Sequence, residues 1–426
     1  MILIDWLELL IAFAVGLHVP KAFTLVYGFV ACVVWRSLGD SVSRGLSWST
    51  PSLKWWPSLV SVFLFSVAYV CGMLAWGLWS WQSDRPDLVN ALVLPVLFLW
   101  SGLQSARLGR SWLIRILLSY SLGSLIYVLI ALGVSRSHWW NVGQLFHSNV
   151  DVPWGYPRVI NVRSIEQNAM PALSLLPASL HGLMGAKAGR RQWMAGSALV
   201  VAALGGYALW SLQGRLGWLV LAVASVPCLA EVSQLRAAWT ANGKKLLVAS
   251  MAALSIFLLV LRPWRIRLGS AGWSQGLCDE RLSLHASILR HGWGSPWGGR
   301  LLAAPYELCN GVPALLAPNG GNVTMAHNVF LDIFLDAGFV PAALLVFAIL
   351  PLVAMLVKNL LRVWARGAWD VGMLVCWSWL VLIFAEWSFQ PLLYSDGLLY
   401  YFSFFALAGM AAMPLRSVRN PASVHL

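Results

Sequence analysis

Long apolar runs follow one another from the first residues of this sequence almost to its end, separated by short polar segments. Runs of about 20 apolar residues match the length of an α-helix that crosses the hydrocarbon core of a bilayer. The pattern therefore predicts an all-α polytopic membrane protein with about twelve transmembrane helices. The spans are predicted at residues 2–17, 21–36, 58–80, 88–104, 112–134, 168–186, 192–211, 214–230, 245–262, 328–357, 367–387 and 396–415. The tenth stretch is long enough to hold a surface helix before the true span.

Two connections, 135–167 and 263–327, are much longer than the others. Loops of this length without repeats are commonly functional. They divide the chain into residues 1–262 with about nine helices and the shorter loop, a large and partly helical loop at 263–327, and residues 328–426 with the last helices and a short tail.

Composition narrows the class of protein. Hydrophobic residues make up 59% of the chain and charged residues 11%, whereas about a quarter of the residues of a soluble domain are charged. Most of the net charge of +13 falls in short loops that share one side if both termini are cytoplasmic, as the positive-inside rule expects. The charge is thus a topology signal and does not indicate a nucleic-acid partner. The first apolar stretch carries Asp5 and Glu8 where a signal peptide carries bases, so we expect it to be retained as a helix.

Both long loops fall on the opposite, outer side, and so do several arginines. Arg215 lies in "SLQGRLGWLV", at the start of a predicted span between Gly214 and Gly217. It is either an interfacial arginine that reaches toward the lipid headgroups or a ligand-binding group that the glycines allow a partner to approach. Arg163, in "NVRSIEQNAMPALSLLP", lies at the mouth of another span.

A helix is predicted in the large loop within "CDERLSLHASILRHGWGSPWGGRL". Asp279 can cap a helix over 280–290, and its apolar stripe of Leu284 and Ile288 predicts that it lies on the membrane surface. Arg281 falls in the first turn, where the helix dipole disfavours a cation. It either binds an anionic partner or pairs with an acidic neighbour.

The stretch "TMAHNVFLDIFLDAG" places His327 and Asn328 directly before an apolar helix. The start of such a helix offers backbone N–H groups and a positive dipole end. Asp332 and Asp336 lie one turn apart on one face, either as helix-exterior groups or as partners for an arginine. One histidine with spaced aspartates makes a poor metal site, so no metal is predicted.

Tryptophans and cysteines add two smaller expectations. Most of the 26 tryptophans are expected in interfacial belts, but Trp154, Trp293 and Trp297 lie in loops rich in glycine and proline, where stacking on a sugar ring is a second interpretation. Cys278 and Cys309 share the large outer loop and can pair in an oxidising compartment.

Together these motifs resemble the O-antigen ligase/O-antigen polymerase family of membrane glycosyltransferases. "GRLG" at 214–217 is similar to that family's arginine turn at the start of a span, and Arg281 followed by "SPWGGR" is similar to its second arginine and glycine element. "HNVFLDIFLDAG" at 327–338 is similar to its histidine motif. The likeness covers roughly 160–345 in motif detail and the remainder only in span count.

The match has departures. Gly214 stands where the family carries serine, His285 stands where it carries an aromatic residue, and Arg300 interrupts the glycine element.

The resemblance implies transfer of a glycan from undecaprenyl diphosphate to an acceptor at the periplasmic face of a bacterial inner membrane, with no cofactor. For the ligase branch the acceptor is lipid A–core oligosaccharide, in lipopolysaccharide biosynthesis. It implies that Arg215 and Arg281 bind the diphosphate, while His327 is the general base toward the acceptor hydroxyl or itself bonds the diphosphate. Further substrate-binding candidates are Arg163, Asn328, Arg300 and Trp297.

Three alternatives stay open from the sequence. A polymerase uses the same donor to extend a lipid-linked glycan, and another oligosaccharyltransferase uses it for a different acceptor. A transporter of lipid-linked sugar is the alternative from a different class, and it is expected to show paired repeats with broken helices near the midplane.

Overall fold

The structure is a computed structural model, and it describes the chain in segments. They are 2–19, 22–43, 53–78, 88–134, 170–172, 174–175, 217, 220–227, 280–308, 311–316, 325–366, 369–390, 392–395 and 397–413. Its helices are α1 (Ile2–Gly16), α2 (Ala22–Ser43), α3 (Trp56–Ala75), α4 (Leu88–Leu103), α5 (Ser105–Leu108), α6 (Arg110–Val134), α7 (Glu280–His291), α8 (Val329–Ala337), α9 (Phe339–Arg366), α10 (Val371–Phe389), α11 (Leu392–Ser395) and α12 (Gly397–Ala412). Two strands, β1 (Ala304–Glu307) and β2 (Pro313–Leu316), lie between α7 and α8.

Within the described residues, six helical stretches are long and apolar enough to cross a membrane. They are Ala22–Gly39, Trp56–Ala75, Leu88–Leu108, Arg110–Leu129, Phe339–Ala365 and Val371–Phe389. They confirm the helical membrane character predicted from hydropathy, and five of them fall where a single span was predicted.

The other predicted spans divide into two groups. The first and last are present as helices of 15 and 16 residues, α1 and α12. Those at 168–186, 192–211, 214–230 and 245–262 lie outside the described residues except for short fragments. The total of about twelve spans therefore stays a prediction.

The tenth span, predicted as one stretch over 328–357, is two helices. The chain breaks at Gly338, which has φ +95° and separates α8 from α9. A side chain at this position would meet the backbone of Pro296 and Trp297, so glycine satisfies both the backbone angle and the close approach. The alternative of a short helix before the true span is thus the right one, and α9 continues to Arg366.

Contacts between spanning helices rely on small residues and aromatic rings. α1 packs against α2 and α6, α12 packs against α4, and α9 packs against α3. At Gly16 and Gly123 a side chain would clash with the facing helix backbone, so these glycines let α1 and α6 approach closely, as small residues do in membrane helix pairs. Tyr120 stacks on Phe402 with ring centroids 4.1 Å apart.

The large loop predicted at 263–327 contains α7, which packs against a β-hairpin. β1 and β2 pair antiparallel, with Ala304 opposite Leu316, so the all-α expectation misses one small sheet. Leu284 and Ile288 are buried in a cluster with residues of this hairpin. The prediction that their stripe faces the membrane surface is therefore wrong, because the hairpin covers it.

Candidate functional site

His327 lies in the turn that leads into α8. Its φ is +55°, the left-handed region that few non-glycine residues adopt. Its side chain is half-buried. A residue persists in this region when the surrounding structure holds it there, and such residues cluster at functional sites.

Asn328 is the N-cap of α8. Its Oδ1 accepts hydrogen bonds from the N–H groups of Phe330 (3.0 Å) and Leu331 (3.1 Å), and its Nδ2 donates to the carbonyl of Ser388 at 3.2 Å. The expectation that this helix start offers those N–H groups to a ligand is wrong, because the asparagine side chain already accepts from both. The structure thus gives Asn328 a shaping role beside His327.

Asp332 reaches back from the first turn of α8 to the same turn. It is fully buried, and it accepts hydrogen bonds from the N–H groups of Ala326 (2.7 Å) and Asn328 (3.4 Å). Burial raises the pKa of this carboxyl to about 7, against the lowering effect of Arg300. The arrangement resembles a capping box with the acid one residue further along.

Arg300 connects the buried acids of α8. Its Nε donates to Asp336 Oδ1 at 2.9 Å, and its Nη2 lies 4.0 Å from Asp332 Oδ1. Tyr69 of α3 donates to the other oxygen of Asp336 at 3.3 Å. Of the two alternatives for Asp332 and Asp336, the arginine-partner interpretation is therefore right. We accordingly treat Arg300 as a supporting group.

The glycine element at 296–300 closes the C-terminal end of α8. The N–H groups of Gly299 and Arg300 donate to the carbonyls of Asp336 (2.9 Å) and Leu335 (2.6 Å), which satisfies helix-end acceptors. The carbonyl of Trp297 accepts from Trp76 Nε1 at 3.2 Å, while the Trp297 ring is 72% exposed. The ring is therefore displayed to the surroundings on a well-fixed backbone.

Arg281 lies in the first turn of α7 and is half-buried. Its Nη1 donates to the carbonyl of Phe389, at the C-terminal end of α10, where the negative end of a helix dipole favours a cation. The preceding carbonyl, of Ser388, accepts from Asn328. Two successive carbonyls thus bring Arg281 and the His327 turn to the same helix end.

His285 is a residue whose role the sequence did not reveal. Its Nε2 lies 2.7 Å from the carbonyl of Ala326 and donates to it, so it holds the residue that precedes His327. The signal in the sequence was an imidazole one helical turn after Arg281, on the same face of α7. For Asp332 the signal was an acid one turn after a good N-cap residue.

Several predicted residues lie outside the described part of the chain. They are Arg215, Arg163, Trp154, Cys278 and Cys309. Within the described part, no group of three or more histidine, cysteine or acidic side chains is placed to hold a metal ion.

The fold defines the class of protein as a membrane-embedded helical protein with its candidate site at the junction of α7, α8 and α10. In comparisons with known proteins, no protein-family model matches the chain, and no curated protein is significantly similar to it.

Proposed function

We propose that this protein is an O-antigen ligase. It transfers a glycan from undecaprenyl diphosphate to a hydroxyl of lipid A–core oligosaccharide, and so builds lipopolysaccharide. His327 acts on the acceptor, and Arg281 and Arg215 act on the diphosphate.

One observation carries the proposal most directly. The guanidinium of Arg281 and the turn of His327 meet at adjacent carbonyls of α10, although the two residues are 46 positions apart in the sequence. An anion-binding group and a titratable base at one point are the two chemical elements that this transfer needs.

The proposed reaction is a direct displacement. The acceptor hydroxyl oxygen bonds to the anomeric carbon while the bond from that carbon to the diphosphate oxygen breaks. The diphosphate leaves with the electron pair, and the hydroxyl proton passes to the imidazole of His327. A neutral imidazole suits this role near pH 7, since its ordinary pKa is about 6.5. The configuration at the anomeric carbon inverts.

Arginine suits a diphosphate leaving group. A guanidinium stays charged at any working pH and donates to two oxygens at once. Charge that develops on the leaving diphosphate can thus be stabilised by Arg281 and Arg215, the task that a divalent metal performs in other transferases. We therefore propose a reaction that needs no metal or cofactor.

The proposed location is the bacterial inner membrane, with the site on the periplasmic side and both termini in the cytoplasm. The support is the bias of basic residues toward one set of loops. A polymerase or another oligosaccharyltransferase shares the donor chemistry, so the acceptor separates these alternatives. A transporter needs no base beside its anion-binding arginine.

The test is transfer in vitro with purified protein, a labelled glycan on undecaprenyl diphosphate, and lipid A–core as acceptor, with and without EDTA. The expected result is labelled core product in both conditions. Labelled product only on the lipid carrier would favour the polymerase, and activity lost with EDTA would contradict the metal-free mechanism.

A further inference from the structure

We propose that Asp332 is the positioning residue for His327, and that Arg300 and Asp336 hold Asp332 in place for that task. The inference rests on the proposed function, because it assigns a role relative to the base of that reaction. It adds a residue that the family resemblance does not supply.

Asp332 binds the backbone on both sides of the histidine. One oxygen accepts from Ala326 N–H at 2.7 Å, and the other faces Asn328 N–H at 3.4 Å. These are the residues on either side of His327. Asn328 N–H belongs to the peptide unit after His327, whereas Ala326 N–H lies one unit before the peptide bond that enters His327. The carboxylate therefore ties together both ends of the turn that holds His327 at φ +55°.

Three further side chains support these contacts of Asp332. Arg300 bonds Asp336 at 2.9 Å and approaches Asp332 at 4.0 Å, and Tyr69 bonds the far oxygen of Asp336. On the other side, His285 bonds the carbonyl of Ala326 at 2.7 Å. His285 therefore holds the carbonyl of the peptide unit before His327, and Asp332 holds the N–H of the peptide unit after it.

A fixed backbone at His327 matters for catalysis because it fixes the position of the imidazole. A general base must lie within hydrogen-bonding reach of the proton it removes, and a misplacement of about 1 Å can cost about 100-fold in rate. The groups around Asp332 are Arg300 on the glycine element, Asp336 on α8, Tyr69 beyond it on α3, and His285 on α7. With a pKa of about 7, Asp332 changes charge in the same pH range as a histidine base.

The experiment compares Asp332→Ala and Asp332→Asn with the matched control Asp370→Ala. Like Asp332, Asp370 accepts from a backbone N–H at the start of a helix and pairs with an arginine, Arg110. It is the N-cap of α10, at the opposite end of that helix from the carbonyls of Ser388 and Phe389. We expect Asp332→Ala to lower kcat by about 10- to 100-fold with a small change in the donor KM. Asp332→Asn keeps one acceptor oxygen and restores most of the rate. Its pH profile keeps the ionisation of the proposed base but loses a second one, that of Asp332.

A second measurement does not depend on activity. Hydrogen exchange of the peptide that contains 325–331 is expected to be about tenfold faster in Asp332→Ala, because two amide hydrogen bonds are lost, and unchanged in Asp370→Ala. Unchanged exchange, or a folded Asp332→Ala protein with the wild-type kcat, would overturn the inference. Wild-type protein that transfers no glycan to any acceptor would instead overturn the proposed function, and hydrogen exchange would still decide whether Asp332 holds the turn.

Discussion

Two charge clusters in the described residues have the same composition, one arginine between two carboxylates, and opposite uses. The N-terminal cluster consists of Arg36, Asp5 and Glu8, and the His327 clamp consists of Arg300, Asp332 and Asp336. In each cluster the arginine side chain is 11% exposed.

The difference lies in what the carboxylates bind. Glu8 accepts from Arg36 at 2.9 Å and from Trp112 at 2.7 Å, so the N-terminal cluster joins α1, α2 and α6 through side chains. Asp332 accepts from backbone N–H groups of a turn. The same charges thus stabilise helix packing in one place and shape a backbone in the other.

Removing the proposed base, His327, is expected to have the largest effect, and it tests whether the His327 clamp serves chemistry at all. In His327→Asn the asparagine tolerates a positive φ but cannot act as a base, so glycan transfer should fall by about 100- to 10,000-fold. His18→Asn is the matched control, since His18 has φ +54° in the turn after α1. An undiminished transfer rate in His327→Asn would remove the site assignment.

Replacing Arg281, the proposed diphosphate-binding arginine, is expected to have the next largest effect. Arg281→Lys keeps the charge but loses the planar fork of donors, so kcat/KM for the lipid-diphosphate donor should fall by about 100-fold. Arg290→Lys, an exposed position on the same helix, should retain the wild-type value. Equal losses in the two variants would mean that α7 is sensitive to any change rather than specific at Arg281.

Replacing the central arginine of each cluster tests directly whether the two clusters differ in function. Arg36→Met leaves buried acidic charge uncompensated and should lower the free energy of unfolding by about 3 kcal/mol, with kcat per folded molecule unchanged. Arg300→Met should lower kcat by about tenfold through the His327 turn. Thermal unfolding in detergent and rates normalised to folded protein separate the outcomes. If Arg36→Met lowered kcat as much as Arg300→Met does, the two clusters would not differ in function.

The pH dependence of stability reports on Asp332, the carboxyl that binds the backbone of the His327 turn. The pKa of Asp332 is raised from 3.8 to about 7 in the folded protein, so the folded state binds this proton more tightly than the unfolded state. The contribution of Asp332 to the free energy of unfolding is complete below about pH 4 and is lost as the pH rises to about 7. The unfolding midpoint should therefore fall by about 3 °C across this window, and Asp332→Asn should remove that part of the slope. An identical slope in the variant would assign the effect to other groups.

The smallest expected effect is at Trp297, whose ring is exposed beside the clamp. Trp297→Ala should raise the donor KM by about 2- to 10-fold if the ring stacks on sugar, without a change in stability. Trp293→Ala is the comparison, because Trp293 already packs against Phe339 with ring centroids 5.5 Å apart. Donor titrations at fixed acceptor measure both, and an unchanged KM in Trp297→Ala would leave the ring as part of the membrane-interface belt.

The local pattern of residues in the sequence was enough to predict some elements of this structure. Hydropathy located the described spans, and the cap and charge pattern located α7. The length of the tenth apolar stretch allowed for a short helix before the span but did not locate the break at Gly338. The hairpin was missed because its strands are only four residues long, too short for alternation to stand out in an apolar chain. The roles of Asn328 and Arg300 were also beyond reach, since they depend on partners such as Ser388 and Asp336 that only folding brings near.

The bond from Arg281 to the carbonyl of Phe389 also has a consequence for biogenesis. A chain that is inserted helix by helix from its N-terminus contains Tyr69 early, but the carbonyls that receive Arg281 and Asn328 arrive only with α10. The site therefore cannot be complete until nearly the whole protein has entered the membrane. A partly inserted chain would lack the arginine–histidine junction, so the proposed transfer chemistry would start only after membrane assembly is nearly complete.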